Sequence, residues 1–527
     1  MMNIKISLTP NRNFRKDVFN CVLILVLFSN VFLGYSQTSK KRVKLVHTDE
    51  LAFDKSLVDA QRLLGNVHLE YEGTHFYCDS AYLYSTDDFD AFSRIRIVEG
   101  SGYNVSGDFL HFDKKSNTAT LRDNITLRDK DMTLTTNNLV YNLDSEVANY
   151  YNGGKIVSNV NKNTLTSNRG IYHSKTETFF FRQNVLLKNP EYTVKCDTMQ
   201  YNSGSEVTYF FGPTNITGDK TGIYCENGYY NTKKDISRFG KNAVITSETT
   251  ILKGDSIYYD GQKEVGEVFR NVTIRDTTEN YIISGNYGRH NEKTKESFVT
   301  DQALLTQEFD SDSLYMHADT LLSKPDTSGL DVVYAFHDVR IFKEDLQGRC
   351  DSLVYAKADS SMHMFENPVL WSMQNQITGD SISLQTSNGK LQHLLVKGNA
   401  FIISDAEAKG DSIKGKELRF NQIKGRRMTG NFIDNDLRNV HVEGNGQVIY
   451  FPTNDDSEPV AMGHNKGECS NIFITIEDNA LKKIRMEVES NSVFTPMKMT
   501  DANTFKLENF KWLKAKRPMS FEDLFTK

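Results

Sequence analysis

A short segment recurs about every thirty residues through most of this chain. It begins at what is called here the lead position, almost always an acidic residue or asparagine, and usually ends four residues later in an aromatic side chain. The lead positions are Asp49, Asp79, Asp108, Asn137, Asn168, Asp197, Glu226, Asp255, Asn286, Asp319, Asp351, Asp380 and Lys416. They are separated by 29 to 36 residues. Repetition at a nearly fixed period predicts a repeat protein rather than one large core.

A second pattern runs in phase with the first and predicts that each unit holds several short strands. It is a turn, usually with asparagine, followed by alternating apolar residues, as in Gly65-Asn66-Val67 and Asp123-Asn124-Ile125. Asparagine tolerates the left-handed backbone of a tight turn, and alternation is typical of strands. No helical periodicity of useful length appears between residues 45 and 450. We therefore predict an all-β fold, an elongated repeat of stacked antiparallel strands resembling a β-jellyroll or solenoid.

The lead segment defines one apolar face of these strands. Residues two and four positions after the lead point to the same side of a strand, and both sets are dominated by Leu, Ile, Tyr and Phe. The predicted groove residues are Leu110, Phe112, Leu139, Tyr141, Met199, Tyr201, Ile257, Tyr259, Leu353 and Tyr355. Glycines at Gly170, Gly228 and Gly288 would leave space inside, which favours a ligand groove, although glycine also relieves crowding at bends. The periodicity fits an open groove and a closed core equally.

Four of the six cysteines share one position in the repeat. Cys78, Cys196, Cys225 and Cys350 each directly precede a lead residue. Equivalent positions one repeat apart would be too distant for a disulfide if each unit adds two strands to a sheet. We predict buried free thiols.

The two ends of the chain differ from the repeat. Lys5, Arg12, Arg15 and Lys16 precede a short apolar run, and Gly34-Tyr35-Ser36 supplies small residues for cleavage before Gln37. We expect residues 1–36 to be a cleaved signal peptide and residues 37–451 to be the repeat array. Residues 452–527 are expected to form a β-rich capping module with a short terminal helix starting at Ser520.

Signals for catalysis, metal binding and nucleic-acid binding are missing from the sequence. The net charge is −6 without a basic run, and the twelve histidines are scattered. No zinc, P-loop, dinucleotide or hydrolase motif occurs. The recurring lead acids could line a glycosidase-like cleft, but thirteen similar copies favour a role in turns and strand starts. We expect neither an enzyme nor a bound cofactor or metal.

The recurring unit resembles the OstA-like (organic solvent tolerance) family. Gly254-Asp255-Ser256-Ile257-Tyr258-Tyr259, Cys350-Asp351-Ser352-Leu353-Val354-Tyr355 and Gly379-Asp380-Ser381-Ile382 carry the resemblance best. The family includes the periplasmic lipopolysaccharide-transport bridge protein and the N-terminal domain of the outer-membrane translocon. The resemblance implies a β-jellyroll, an apolar interior that accepts lipid A acyl chains, and edge strands that dock modules end to end. The array departs from that pattern in its length.

Two functions are compatible with these features. The first is a periplasmic or outer-membrane-associated protein that binds and transports lipopolysaccharide or another envelope lipid. Its partners would be other lipopolysaccharide-transport proteins, which dock through its edge strands. The second is a non-enzymatic envelope scaffold whose closed core binds no lipid and whose sheet edges recruit partners by strand addition.

Overall fold

The computed structural model describes residues 42–53, 59–98, 104–128, 132–159, 163–202, 204–278, 280–309, 312–329, 331–356, 359–387, 390–406, 419–433, 436–453, 461–477, 480–499 and 506–526. The predicted signal peptide and its cleavage site lie outside these residues. The described chain forms two compact units, an N-terminal unit (up to residue 248, with 253–268) and a C-terminal unit (249–252 and from 269 onward). Among the described residues, no helix is long and apolar enough to cross a membrane.

The N-terminal unit is built from antiparallel strands that mostly pair with their neighbours in sequence. Its strands are β1 (Lys44–His47), β2 (Glu50–Phe53), β3 (Ala60–Tyr71), β4 (Thr74–Tyr84), β5 (Phe89–Val98), β6 (Asn104–Asp113), β7 (Thr118–Arg128), β8 (Met132–Asn142), β9 (Val147–Tyr150), β10 (Gly154–Ser158), β11 (Thr164–Ser167), β12 (Arg169–His173), β13 (Thr178–Lys188), β14 (Tyr192–Asn202), β15 (Val207–Gly218), β16 (Gly222–Asn231) and β17 (Ile236–Thr246). Strand β3 pairs with both β1 and β2, β8 with β9 and β10, and β13 with β11 and β12. The short strands are therefore halves of longer, interrupted strands.

Two further strands, β18 (Thr250–Asp260) and β19 (Val265–Asp276), contribute residues to both units. The remaining strands are β20 (Tyr281–Asn291), β21 (Glu296–Glu308), β22 (Ser313–Pro325), β23 (Asp331–Lys343), β24 (Leu346–Ala356), β25 (Ser361–Phe365), β26 (Val369–Ser372), β27 (Asn375–Thr378), β28 (Ser381–Ser387), β29 (Lys390–Asp405), β30 (Phe420–Ile433), β31 (Asp436–Tyr450), β32 (Gly463–Glu477), β33 (Ala480–Glu487) and β34 (Asn491–Pro496). Short 3-10 turns lie at Ser174–Thr176, Met497–Met499, Lys514–Lys516 and Glu522–Leu524. The all-β, antiparallel repeat predicted from the sequence is confirmed.

A bulge in every second strand explains the lead position. Gly65 and Asn66 in β3 both have positive φ angles, 74° and 45°. Together they lie opposite the single residue Asp79, since Leu64 pairs with Ser80 and Val67 pairs with Cys78. Similar pairs of positive-φ residues interrupt later strands, which accounts for the recurring turn asparagine.

The lead carboxylates stabilise these bulges. In four copies the lead carboxylate accepts a hydrogen bond from the asparagine in the bulge of the following long strand. Asp49 accepts from Asn66 Nδ2 at 2.8 Å and Asp108 from Asn124 Nδ2 at 2.6 Å. Glu226 and Asp380 accept from Asn242 and Asn399 in the same way. A bulge leaves backbone groups unpaired, and a nearby carboxylate holds its side chain in place. The acids are structural in these copies.

Each lead strand bends at the lead position so that both of its halves face the interior. In β14 the buried residues are Tyr192, Val194 and Cys196 before the bend and Met199 and Tyr201 after it. The alternation of buried and exposed residues shifts by one position at Asp197. Cys196, which directly precedes it, therefore faces the interior. Cys78, Cys196, Cys225, Cys350 and Cys469 are buried and free, as predicted for the first four.

The thirteenth copy of the motif was placed wrongly by the sequence pattern. The bulge at Gly398 and Asn399 lies opposite Arg426, since Lys397 pairs with Arg427 and Ala400 with Gly425. Arg426, not Lys416, therefore occupies the structural lead position. Lys416 lies outside the described residues, and Phe420 packs on the other face of the sheet against Trp512. The motif match was local, whereas the bulge sets the true register.

Candidate functional site: an apolar cavity in the N-terminal unit

An apolar cavity of about 180 Å³ lies between the two halves of the strands in the N-terminal unit. It is called here the N-terminal cavity. Its lining residues are Tyr71, Thr74, Phe76, Ile97, Val105, Phe112, Ala119, Leu121, Leu127, Met132, Leu134, Leu139, Tyr141, Leu143, Ala148, Tyr150, Ile156, Gly170, Ile171, Tyr172, Phe179 and Phe181. No side chain in this set is charged, so the cavity offers dispersion contacts and apolar burial but no ionic anchor.

The predicted groove residues divide into two groups. Phe112, Leu139 and Tyr141 line the N-terminal cavity. The other members of the predicted set lie elsewhere in the interior. Leu110, Met199, Tyr201, Ile257, Tyr259 and Leu353 are buried to 6% exposure or less, and Tyr355 is half-buried. None of these residues lines the N-terminal cavity.

Small residues and the ring of Tyr150 shape the cavity. Tyr150 in β9 lies over Gly170 in β12, so closely that a Cβ atom on Gly170 would be 2.2 Å from the ring. The Tyr150 hydroxyl is 2.6 Å from Ser167 Oγ, and burial raises the pKa of Tyr150 to about 12. The space that Gly170 leaves is therefore filled by Tyr150. Ala119 and Ala148 line the cavity nearby with small side chains.

The other glycines singled out by the sequence also accommodate protein atoms. A Cβ on Gly228 would be 2.8 Å from the Arg238 carbonyl oxygen and 3.3 Å from the Phe239 ring. A Cβ on Gly288 would be 3.2 Å from a methyl group of Val272. These glycines permit close packing between neighbouring strands rather than space for a ligand.

Sequence reasoning missed one wall of the cavity. Leu127, Met132, Leu134 and Ile156 come from the halves of the strands that lie away from the lead segment. Their signal was present in the second, alternating pattern, of which Ile125-Thr126-Leu127 is part. The two apolar sets, before and after the lead position, face the same interior only because the alternation shifts by one position at the lead residue.

Among the described residues, no cluster of three or more His, Cys, Asp or Glu side chains is suited to hold a metal ion. The buried thiols have raised pKa values because burial disfavours the thiolate, and the pKa of Cys196 rises to about 12. Such thiols are poor nucleophiles at neutral pH.

Comparison with known families matches part of the chain. Residues 40–197 match the family described as OstA-like protein. These residues are similar to that family and are called here the OstA-like region. The whole N-terminal cavity, from Tyr71 to Phe181, lies within the OstA-like region. The repeat continues beyond it, through the bulges at Lys241–Asn242 and Gly398–Asn399.

Comparison with solved structures and curated proteins adds little to the OstA-like match. LptH from Pseudomonas aeruginosa, described as the LptA-homologous periplasmic component of the conserved lipopolysaccharide transport device, is 10% identical. The similarity covers 38% of this chain and 92% of LptH, with a TM-score of 0.11. A search of curated proteins gives no significant match.

Proposed function

We propose that this chain is a periplasmic protein of outer-membrane assembly that binds lipopolysaccharide and shields part of its acyl chains in the N-terminal cavity. The observation that carries the proposal is an uncharged cavity lying wholly within the OstA-like region. The resemblance to that family implies acyl-chain binding in the interior of the β-jellyroll. The proposal includes no catalytic step.

The size of the cavity limits what it holds. A cavity of about 150 Å³ lined by Leu, Ile and Phe stays dry and takes up benzene-sized molecules. The N-terminal cavity, about 180 Å³, therefore suits the terminal segment of one acyl chain. Each buried methylene group contributes roughly 0.8 kcal/mol, so a segment of about five carbons contributes about 4 kcal/mol. Such weak binding suits a protein that receives a lipid and passes it on.

An exposed apolar edge supports docking to partner proteins. Leu51 and Phe53 in β2 hold the same repeat positions as buried residues such as Leu110 and Phe112, yet they are 53% and 58% exposed. Strand β2 pairs with β3 on one side. An edge strand with exposed apolar side chains is suited to strand addition. We propose that other lipopolysaccharide-transport proteins dock here.

Photocrosslinking at equivalent repeat positions tests lipid binding. Tyr141 and Tyr201 both lie four residues after a lead position, but only Tyr141 lines the cavity. Replacing each with p-benzoyl-phenylalanine conserves an aromatic ring. We expect irradiation of cells to crosslink lipopolysaccharide to the Tyr141 variant, and crosslinking at least fivefold weaker at Tyr201 or at outward-facing Thr135.

Two results would contradict the proposal. One is a folded Tyr141 variant without a lipid adduct, together with protein purified free of lipid by native mass spectrometry. The other is equal crosslinking at Thr135, which would indicate surface adhesion. The first result would instead favour a scaffold with a closed core.

A further inference from the structure

Two histidines meet on the outer face of the N-terminal unit, at the hairpin formed by β3 and β4. His68 Nε2 is 3.0 Å from His75 Nδ1, and the two ring centroids are 5.2 Å apart. Both side chains are half-buried. They are called here the histidine pair. Imidazole nitrogens that face each other at this distance can share a proton, and neutral imidazole is also the commonest metal ligand in proteins.

A tight hairpin holds the histidine pair in place. Glu72 and Gly73 form its two-residue turn, and both have positive φ angles, 51° and 82°. Two-residue turns of this kind match the twist of the flanking strands and fix their register. The register places His75 diagonally across from His68, with Tyr77 directly opposite His68. Side chains in such diagonal positions are close enough to touch when they are aromatic or long.

Aromatic contacts orient the ring of His68. It stacks on Tyr77, with centroids 4.4 Å apart and planes 19° from parallel. The guanidinium carbon of Arg96 lies 4.4 Å from the centroid of the same Tyr77 ring. A ligand whose rotamer is already set by packing loses little conformational freedom when it binds an ion. The hairpin therefore positions both imidazoles, and the stacking fixes the orientation of one of them.

The histidine pair lies on the opposite side of the sheet from the N-terminal cavity. Tyr71 and Phe76 belong to the same two strands, are buried and line that cavity. Successive residues of a strand face opposite sides, so His68 and His75 point outward. An ion bound to the histidine pair would remain in contact with solvent. The site is therefore separate from the proposed lipid binding.

Charged side chains of both signs lie near the histidine pair. Lys44 Nζ is 3.4 Å from Glu70 Oε2, and Glu70 is directly opposite His75. Arg96 lies over Tyr77, and Asp49 lies within 3.2 Å of the His47 ring on the adjoining strand β1. Lys44 and Arg96 thus carry two positive charges, which the carboxylates of Glu70 and Asp49 balance. A cation bound here would not add to an excess of positive charge.

We propose that the histidine pair binds a divalent transition-metal ion, with water in the remaining coordination positions. Histidine nitrogens bind zinc at about 2.0–2.1 Å, so two of them on one ion lie roughly 2.8–3.4 Å apart at bond angles of about 90–109°. The observed separation of 3.0 Å falls within that range. Imidazole suits copper, nickel and zinc, and Cu²⁺ binds most tightly of these ions to a given set of ligands. We therefore expect the highest affinity for Cu²⁺.

Titration of the untagged chain from Gln37 onward with Cu²⁺ alone tests the proposal. Electron paramagnetic resonance at one equivalent of Cu²⁺ should show two coordinating imidazole nitrogens. His68→Phe keeps an aromatic ring against Tyr77, and His75→Gln keeps a polar side chain of similar length. Each variant should weaken the tightest site at least tenfold. The double variant should lose no more than either single variant, because removing one nitrogen already breaks the chelate.

His47→Phe is the matched control. His47 is directly opposite His68 on β1 and bonds to Asp49, but it does not belong to the histidine pair. This variant should bind Cu²⁺ as tightly as the unmodified chain. Hydrogen exchange gives a second readout, because an ion that binds only the folded state stabilises it. Cu²⁺ should slow exchange in β3 and β4 and leave β31 and β32 unchanged.

Three outcomes would overturn the proposal. They are an unchanged Cu²⁺ affinity in both His68→Phe and His75→Gln, a loss in only one of these variants, or an equal loss in His47→Phe. The first outcome would show that the two rings form a hydrogen bond and nothing more. None of the three bears on lipid binding by the N-terminal cavity.

Discussion

The two units use the same position of the repeat in opposite ways. The residues four positions before each lead pair with residues on the neighbouring strands, and together they form one row across the sheet. This row faces outward in both units. In the N-terminal unit it reads Thr133, Val157, Thr164, Lys188, Thr193 and Thr217. In the C-terminal unit it reads Gln347, Trp371, Gln376, Ile403, Gln422 and Ile449. The first row is largely polar. The second is buried beneath the C-terminal segment, residues 506–526, which is called here the C-terminal strap.

This difference shows that the repeat determines only the inner face of the sheet. The outer face depends on what covers it. Glutamine alternates with Trp or Ile along the covered row because the strap presents both backbone amides and apolar side chains. Gln376 and Gln422 have no exposed surface and both bond to strap backbone, while Ile403 and Phe420 pack with Leu507 and Phe510. Buried amides paired in this way avoid the cost of an unsatisfied polar group.

Deletion of the strap should produce the largest difference in stability between the two units. Removing residues 506–527 exposes Trp371, Ile403 and Phe420 and removes Leu507 and Leu524 from the core. Each large apolar side chain contributes roughly 1.5–3 kcal/mol when buried, so we expect the C-terminal unit to lose about 5–10 kcal/mol. Hydrogen exchange should show lost protection in β22 to β30.

The N-terminal unit is the internal control for that deletion. Its strands from β3 to β8 should keep their protection, because the described contacts of the strap are with the C-terminal unit. Unchanged exchange in β22 to β30 would show that the strap lies on the sheet without stabilising it.

Acid should destabilise the C-terminal unit through His290. Burial lowers the pKa of His290 from 6.5 to about 4, and its Nδ1 is 2.7 Å from Ser297 Oγ. The unfolded chain therefore takes up a proton first as the pH falls, and the stability present above pH 6.5 is lost between pH 6.5 and 4. The loss is roughly 3 kcal/mol at about 1.4 kcal/mol per pKa unit.

The variant His290→Tyr should flatten that pH dependence. Tyrosine occupies the same repeat position at Tyr230 and Tyr259. Urea unfolding measured from pH 7.5 to 4 should show the two proteins diverging as the pH falls. Parallel profiles would exclude His290 as the source, leaving His317 and His464, whose pKa values are also lowered by burial.

Replacing the asparagines of the bulges should reduce stability by smaller amounts, which should be similar in both units. Asn124 and Asn399 have φ angles of 49° and 47° and donate to Asp108 and Asp380. Replacement by Ala removes the hydrogen bond and places Cβ in a disfavoured conformation, which should cost about 1–3 kcal/mol. Replacement by Gly should cost less, because glycine adopts positive φ freely.

Thermal unfolding of the four variants measures this effect. Alanine variants as stable as the glycine variants would show that backbone conformation does not determine the choice of asparagine. A much larger effect in one unit would show that the bulges do not play the same role throughout the repeat.

Much of the inner face could be predicted from the sequence. The period located the strands, the lead segment identified an apolar face, and the cysteines before Asp79, Asp197 and Asp351 were placed in the interior. These features repeat, and repetition reveals them. The N-terminal cavity could not be predicted, because it depends on how the single ring of Tyr150 packs over Gly170.

The strap also could not be predicted. Its sequence, which includes Phe510, Trp512 and Phe521, has no periodicity and resembles an ordinary chain end. Its partners Gln347, Gln376 and Gln422 are polar residues that sequence patterns place on a solvated surface. Burial of both sets depends on contacts between residues far apart in the chain, which local patterns do not encode.

The strap also determines the order in which the chain completes folding. Arg517 bonds to Gln347 across 170 positions, and Arg340 donates to carbonyl groups near the last residues of the chain across 183 or more. The strands between them are synthesised before the strap that covers them. Their outer row of Trp371, Ile403 and Ile449 must therefore remain uncovered until the strap has been synthesised. During that interval the exposed apolar side chains of this row favour aggregation.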